Sequence, residues 1–196
     1  MRKTLVIATG NKGKLREYQQ LLSELPLNLV SLEDVGISLE VEETGNTFSD
    51  NAWLKALTYS NLTGMLTLSD DSGLEVECLN GKPGVLSARY GGDHLSDHER
   101  NLLLLDEISD FNNIKAKFKC VLTLCKNQEW VSSFEGECEG LIIGKEKGSN
   151  GFGYDPIFFL EKYAKTMAEI DTEIKNKISH RAIALNKLSK FLESLK

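Results

Sequence analysis

The chain has 196 residues, of which 41% are hydrophobic and 27% are charged, the balance of a globular protein large enough to bury a core without disulfides. Its formal net charge of −6 argues against sequence-independent binding of DNA or RNA, but not against a small polyphosphate whose charge is met locally. No apolar run has the length of a signal peptide or a membrane span, so a reducing cytoplasm is the expected location.

The first predicted elements are a strand and a helix joined by a glycine turn. Residues 4–8 form an apolar run, residues 9–14 contain two glycines, and apolar residues then recur with helical spacing over residues 15–22. Such a turn directs unpaired backbone N–H groups and the positive end of the helix dipole at one point. Lys12 and Lys14 add positive charge there. A phosphate chain suits these groups, although the spacing matches neither the Walker nor the dinucleotide pattern. An ordinary strand-to-helix connection remains the alternative.

The next elements alternate between strands and a helix. Residues 27–31 predict a second strand. Thr47 is placed to cap a helix that runs to about residue 62. One face of this helix is predicted to be buried, with Phe48, Ala52, Ala56 and Tyr59 on it. Residues 65–68 then indicate a buried strand, and residues 74–76 indicate a separate strand of alternating exposure.

The second half of the chain predicts more strands and two helices. Ser96 and Glu99 form a capping box before an apolar helix, and residues 114–124 and 130–137 resemble antiparallel partners, with residues 141–143 continuing the pattern. Ser179 is predicted to cap a C-terminal helix whose inward-facing residues are Ile183, Leu188, Phe191, Leu192 and Leu195. This order predicts an α/β protein with a mixed central sheet flanked by helices, built as one elongated, two-lobed domain over residues 1–196.

Paired acidic residues point to a metal ion. Glu42-Glu43 precedes the second helix, and Asp70-Asp71 follows a buried strand. Adjacent carboxylates at the end of such a strand repel one another and lose solvation, so a cation would offset the cost. Magnesium prefers one or two protein carboxylates together with waters and substrate phosphate oxygens. A capped turn and a solvated loop would explain either pair alone, but the acids and the cationic turn together favour a metal-bridged nucleotide polyphosphate.

Two later stretches are candidates for nucleoside binding. In residues 148–156 several glycines surround Phe152, which can stack on a base, and Asp155, which can accept hydrogen bonds. A loop with a buried aromatic residue is the structural alternative. Lys175 and residues 179–181 place cationic donors near a predicted helix start, where the dipole disfavours them unless an acceptor is present. His94 and His98 have a zinc-like spacing, but their surroundings are typical of a solvated loop leading into a helix cap.

In combination, these stretches resemble a known family, the inosine/xanthosine triphosphate pyrophosphatases. Six motifs that span nearly the whole chain carry the resemblance. They are Thr9-Gly10-Asn11-x-x-Lys14-x-x-Glu17, Glu42-Glu43-Thr44-Gly45-x-Thr47-Phe48-x-x-Asn51-Ala52-x-x-Lys55-Ala56, Asp70-Asp71-Ser72-Gly73-Leu74, Pro83-Gly84-x-x-Ser87-Ala88-Arg89-Tyr90, Gly151-Phe152-Gly153-Tyr154-Asp155-Pro156 and Ser179-His180-Arg181. The departures are Ala182, where glycine is usual, and Ser69, where alanine is common.

The resemblance implies magnesium-dependent hydrolysis of deaminated purine nucleoside triphosphates (ITP, dITP and XTP) to the monophosphate and pyrophosphate, by a homodimer with its active site in a cleft between lobes. Carried onto this chain, it places Mg²⁺ on Glu42 and Asp71 and makes Asp71 the proton acceptor, although Asp70 or a metal-bound hydroxide is an alternative base. The implied substrate-binding residues are Thr9, Gly10, Asn11, Lys12, Gly13, Lys14, Ser72, Phe152, Gly153, Tyr154, Asp155, Lys175, His180 and Arg181.

Two alternative functions remain open from the sequence. One is a related nucleotide pyrophosphatase of the septum-inhibitor-like class, which shares the architecture and the reaction but acts on other nucleotides. The motif Ser179-His180-Arg181 argues against it. The other is a nucleotide-binding sensor without catalytic activity, and the intact acidic pairs weigh against that interpretation.

Overall fold

The computed structural model describes residues 3–194 and shows an α/β fold around one mixed sheet of seven strands. The strands are β1 (Lys3–Ala8), β2 (Leu27–Ser31), β3 (Leu66–Val76), β4 (Lys115–Lys126), β5 (Glu129–Ile142), β6 (Phe158–Leu160) and β7 (Lys165–Thr166), in the spatial order β2-β1-β3-β4-β5-β6-β7. β1 pairs in parallel with β2 and β3, whereas β6 is antiparallel to β5 and β7. The predicted fold class is therefore confirmed.

Helices connect and flank these strands. Over residues 3–194 the α-helices are α1 (Lys12–Leu21), α2 (Phe48–Thr63), α3 (Asp97–Glu107), α4 (Thr172–Ile178) and α5 (His180–Ser194). Thr47 caps α2 in a capping box with Asp50, and Ser96 caps α3 in a capping box with Glu99. Both predicted helix starts are confirmed, because these side chains satisfy backbone N–H groups that the first turn leaves without partners.

The described chain forms two compact units. One comprises residues 3–71, 120–136 and 181–194. Its core contains Leu5, Ile7, Leu68, Leu122 and Leu188. The other unit comprises Ser72–Lys119 and Glu137–His180, and its core contains Leu74, Leu104, Phe118, Phe158 and Met167. Each fully buried side chain of this size stabilises the fold by about 1.5–3 kcal/mol relative to an exposed one.

The paired aspartates lie inside a strand rather than after one. The two strands predicted over residues 65–68 and 74–76 are a single strand, β3. The alternation predicted for residues 74–76 is confirmed, because Leu74 and Val76 are fully buried and Glu75 between them is half-buried. Tertiary packing overrides the low strand propensity of the Asp70–Gly73 stretch. A Cβ on Gly73 would overlap Ser87 Oγ and the Gly84 carbonyl oxygen, so glycine is required where this backbone approaches its neighbour.

The central hairpin has the predicted form. β4 and β5 are neighbours in the sheet and are joined by Asn127 and Gln128, which both have positive φ values of 50° and 69°. Two consecutive residues of positive φ make the turn type that matches the twist of a two-residue hairpin.

The C-terminal region contains one helix that the sequence did not predict. α4 precedes α5, and Ser179 is the residue at which α4 ends and α5 begins. Most of the inward face predicted for the last helix is confirmed, because Leu188 is fully buried and Phe191 and Leu192 pack against the core. Ile183, predicted for the same face, is only half-buried. Leu195, predicted for the same face, lies outside the described residues.

Candidate active site

The turn after β1 is organised by the side chain of Asn11. Its Oδ1 atom accepts hydrogen bonds from the N–H groups of Gly13 (2.8 Å) and Lys14 (3.0 Å), and its own N–H donates to Thr9 Oγ1 at 3.2 Å. The prediction of unpaired N–H groups is therefore wrong at these three residues, because the N-cap side chain of Asn11 satisfies two of them and the Thr9 hydroxyl satisfies the third. Gly10 and Lys12 are exposed beside them. A phosphate would be held here mainly by lysine side chains.

A chain of alternating charges runs beneath this turn. Lys14 Nζ lies 2.7 Å from Asp70 Oδ2, and Arg181 Nη2 lies 3.7 Å from the same oxygen. The other terminal nitrogen of Arg181 is bonded to Glu17. Asp70 and Arg181 are 1% and 2% exposed. Burial of charged groups this deep is tolerated only when each is paired.

This burial changes the interpretation of Arg181. The resemblance places it among the nucleoside-binding residues, whereas its guanidinium lies under Asp70 and against Glu17. A side chain that is only 2% exposed and is committed to two carboxylates does not present donors to a base. In this structure Arg181 is therefore placed to support Asp70.

The two neighbouring aspartates have opposite electrostatic environments. Burial alone would raise the pKa of Asp70, but Lys14, Arg181 and Lys55 hold it below its ordinary value. Burial raises the pKa of Asp71 to about 6, because Lys55 offsets only part of the desolvation and the nearby Glu43 adds repulsion. Asp70 is therefore a fixed anion, while Asp71 is a carboxylate whose charge is costly until a cation or a proton reaches it.

Two residues of α2 complete this cluster, and no role was predicted for them from the sequence. Asn51 is fully buried. Its Nδ2 atom donates to Asp71 Oδ2 at 3.1 Å, and its Oδ1 atom accepts from Gly45 N at 2.7 Å. Lys55 pairs with Glu43, and its Nζ atom lies 4.0 Å from Asp71 Oδ1. The sequence did contain a signal for their role. Asn51 and Lys55 are spaced i, i+4, so they lie on one face of a helix that stands between the two acidic pairs in the sequence.

The carboxylates present fit a magnesium ion that is shared with a substrate. No three His, Cys, Asp or Glu side chains are grouped as a metal site anywhere in residues 3–194, so a complete protein cage is absent from this part of the chain. Mg²⁺ commonly uses one or two carboxylates and takes its remaining ligands from water and phosphate. Asp71, buried and of raised pKa, is suited to such an ion. Glu42 is exposed, and its neighbour Glu43 is the residue coupled to Asp71.

In the second unit, Asp155 organises a loop with Phe152 and Lys175. Its Oδ2 atom accepts from Lys175 Nζ at 2.7 Å and from Phe152 N at 3.1 Å. Lys175 Nζ also lies 5.3 Å from the centre of the Phe152 ring, a cation–π distance. A Cβ on Gly151 would overlap Asp155 Oδ2. These residues, predicted from separate stretches of sequence, are therefore brought together.

The remaining predicted residues of this unit have distinct surroundings. The His180 ring stacks on Phe118 with ring centres 4.9 Å apart, and only 7% of His180 is exposed. Tyr154 is buried, and its hydroxyl donates to the Ser87 carbonyl at 3.0 Å, which indicates a structural role. Ser72 is half-buried within β3.

Comparison with known proteins identifies the family. The model of the Ham1 family matches residues 5–191, which is nearly the whole chain. The chain belongs to the Ham1 family. A relative from Clostridium tetani named "dITP/XTP pyrophosphatase" is 48% identical over 195 residues, covering 98% of this chain and 97% of that protein. A Geobacter sulfurreducens relative of the same name is also 48% identical, with 92% of each chain covered.

Solved Ham1 structures share the fold. The Staphylococcus aureus Ham1 protein superposes with a TM-score of 0.90 at 39% identity, covering 99% of this chain and all of that one. A HAM1 protein from Coxiella burnetii superposes with a TM-score of 0.91 at 39% identity, covering 98% and 99%. No helix within residues 3–194 combines the length and the apolar character needed to cross a membrane.

Proposed function

We propose that this Ham1-family chain hydrolyses deaminated purine nucleoside triphosphates, namely ITP, dITP and XTP, to the monophosphate and pyrophosphate, and so keeps them out of DNA and RNA. The observation that carries the proposal is the pair of adjacent carboxylates Asp70 and Asp71. Asp70 is paired with Lys14 and Arg181. Asp71 lies near Lys55, but the cost of burying its charge is only partly offset. The names of the relatives from Clostridium tetani and Geobacter sulfurreducens support the same activity. A septum-inhibitor-like preference is not favoured by those names.

The reaction adds water to the α-phosphorus and breaks the bond to the bridging oxygen that leaves with pyrophosphate. Lys14 and Lys55 would neutralise charge on the phosphate chain. Ser72 would touch the substrate. The other residues of the turn would contact the phosphates beside Lys14, and they are Thr9, Gly10, Asn11, Lys12 and Gly13. Asp71 would accept the proton of the attacking water, because Asp70 is already engaged by Lys14 and Arg181. Glu42 and Asp71 would hold a magnesium ion, which supplies charge neutralisation and substrate orientation. Glu43 is the second acid close to Asp71.

The base would be recognised by residues of the second unit. Phe152 offers a ring for stacking and is followed by Gly153, while Lys175 and His180 contribute polar side-chain groups around the ring. Hypoxanthine and xanthine carry an oxygen at C6 that accepts hydrogen bonds, whereas the amino group of adenine would oppose such donors. A site built to bond a polar group can reject an analogue lacking it by about 10⁴-fold. We further propose a homodimer in the cytoplasm and a single functional domain.

A panel of nucleotides tests the proposal. Pyrophosphate release should be fast with ITP, dITP and XTP, weak with GTP, and almost absent with ATP and pyrimidine triphosphates. Chelation of magnesium should abolish release, and added Mg²⁺ should restore it. Equal turnover of ATP and ITP would contradict the base preference. No pyrophosphate release from any nucleoside triphosphate would favour the non-catalytic sensor instead.

A further inference from the structure

Both polar groups of the Gly153 peptide backbone are held by side chains of α3. The Gly153 N–H donates to Asp97 Oδ2 at 2.7 Å, and the Gly153 carbonyl accepts from Asn101 Nδ2 at 3.1 Å. The two side chains lie one helical turn apart, on the same face of α3. Gly153 itself has a positive φ of 62° and open space around the Cβ position, so no side-chain packing at this residue orients it. Its two flanking peptides are oriented by hydrogen bonds, namely the two from α3 and the bond from Asp155 N to the Phe152 carbonyl at 3.3 Å.

The two α3 side chains are in turn held by neighbouring groups. Asn101 is 1% exposed, and its Nδ2 atom also donates to Glu146 Oε1 at 2.7 Å, while Glu146 Oε2 lies 2.7 Å from His98 Nδ1. Arg100 donates to Asp97 Oδ1 at 3.0 Å and to the Leu95 carbonyl at 2.9 Å. Side chains locked in this way position what they bond far better than mobile surface groups do.

Gly153 is the residue between the aromatic ring of Phe152 and the buried Tyr154. The Phe152 N–H, on the N-terminal side of the Phe152 ring, is held by Asp155. The α3 contacts hold Gly153, on the C-terminal side of that ring. A bond to the N–H and a bond to the carbonyl of the same residue set the planes of both flanking peptides. The direction in which Phe152 leaves the backbone follows from those planes.

We propose that Asp97 and Asn101 are positioning residues that orient the Phe152–Asp155 loop for binding of the nucleoside. The inference rests on the proposed function, because it concerns the base-binding part of the same site. Stability alone does not explain the arrangement well, since 54% of the Asp97 side chain is exposed and exposed polar contacts contribute little to folding. The resemblance to the pyrophosphatases assigned neither residue a role.

The test separates base binding from phosphate binding. Asp97→Ala and Asn101→Leu remove the two contacts, and Asp97→Asn keeps an oxygen that can accept from Gly153. Asp106→Ala, an exposed position on the same helix, is the matched control. For each variant the KM and kcat for dITP are measured, together with the inhibition constants of inosine monophosphate and inorganic pyrophosphate. Thermal melting establishes that each variant is folded, and the exposed Asp97 keeps the test possible if Asn101→Leu unfolds.

Asp97→Ala and Asn101→Leu should each raise the KM for dITP and the inhibition constant of inosine monophosphate about tenfold, because a misplaced binding group costs one to two orders of magnitude. The kcat should change less than about twofold, and the inhibition constant of pyrophosphate should not change. Asp97→Asn and Asp106→Ala should resemble the unaltered protein. Unchanged monophosphate inhibition, or a parallel rise for pyrophosphate, would overturn the inference. No dITP turnover by the unaltered protein would instead overturn the proposed function.

Discussion

The adjacent residues Asp70 and Asp71 differ in what surrounds them rather than in their chemistry. Asp70 Oδ2 faces Lys14 and Arg181, and its pKa is held low. Asp71 is bonded to Asn51 and lies 4.0 Å from Lys55, and burial raises its pKa to about 6. Neighbours in sequence therefore have different environments, because a strand directs successive side chains to opposite faces. Asp70 is paired with cations, whereas Asp71 is a buried carboxylate of raised pKa.

Asp71→Asn should abolish turnover and also stabilise the metal-free protein. Loss of the carboxylate removes a metal ligand and a proton acceptor, so kcat should fall about a thousandfold, which corresponds to about 4 kcal/mol. The folded-state pKa of Asp71 is raised, so its charged form destabilises the fold above that pKa, and a neutral amide relieves the cost. The melting temperature at pH 8 in chelator should rise by about 2–4 °C for each kcal/mol relieved. Asp106→Asn is the control, and normal kcat at saturating magnesium would remove Asp71 from the mechanism.

Arg181→Ala should destabilise the protein without changing which nucleotide it prefers. Removing one partner from a buried charge network leaves Glu17 and Asp70 uncompensated, a loss of about 3–5 kcal/mol. Urea unfolding measures this loss, and Arg181→Lys should lose less because it keeps the charge. Turnover of both ITP and ATP should fall together, since Arg181 acts through Asp70. A compressed ITP-to-ATP ratio in a folded variant would restore a direct role in reading the base.

At the scale of elements, β3 shows why glycine interrupts a strand that is otherwise apolar or acidic. The backbone at Gly73 passes so close to Gly84 and Ser87 that no Cβ fits, and Leu74 N donates to Ser87 Oγ at 2.8 Å. The strand therefore continues through the aspartates into the second unit's core, with Leu74 fully buried. Asp70 and Asp71 lie within β3, directly after the residues that pair with β1, rather than in a flexible turn.

Gly73→Ala should destabilise the protein by about 1–3 kcal/mol, because the added methyl overpacks against a backbone carbonyl that cannot move freely. Chemical unfolding gives the free energy. Gly144→Ala is the matched control, since Gly144 has open space around it and its φ is not positive. Equal stability of the two variants would mean that β3 can shift at Gly73 without cost.

At the scale of the whole molecule, the four cysteines differ in how deeply they are buried, and each unit contains two of them. Cys120, Cys125 and Cys138 are buried, Cys78 is half-buried, and all four are free thiols. Burial raises the pKa of Cys120 to about 12 and those of Cys125 and Cys138 to about 11. The thiolate is the reactive form of cysteine. The three buried thiols are therefore protected from thiol reagents in two ways, because burial excludes the reagent and the raised pKa keeps each thiol protonated.

A thiol-labelling reagent at pH 8 should therefore modify Cys78 rapidly in the native protein and the other three only on unfolding. Counting released chromophore with and without denaturant measures the two classes. Cys78→Ser should remove the fast class, and Cys125→Ser should leave it intact. Rapid labelling of more than one thiol in the native protein would show that one of the units opens readily.

Local patterns in the sequence were sufficient for several elements. The helix caps at Thr47 and Ser96, strand β2 and the hairpin over β4 and β5 follow from side-chain-to-backbone bonds and periodicity within a few residues. β3 and α4 were not predicted correctly, because a strand through Asp70 and Gly73 and a seven-residue helix depend on neighbours distant in sequence.

The sequence by itself determined the α/β class, the family resemblance and the cationic and acidic character of the candidate site, because these reside in residue types and short spacings. Only the tertiary structure decided that Asn11 occupies the turn's amides, that Arg181 supports Asp70, and that Asn51 and Lys55 meet Asp71. The physical reason is that desolvation and pairing depend on distances between segments far apart in the chain, and those distances exist only after folding.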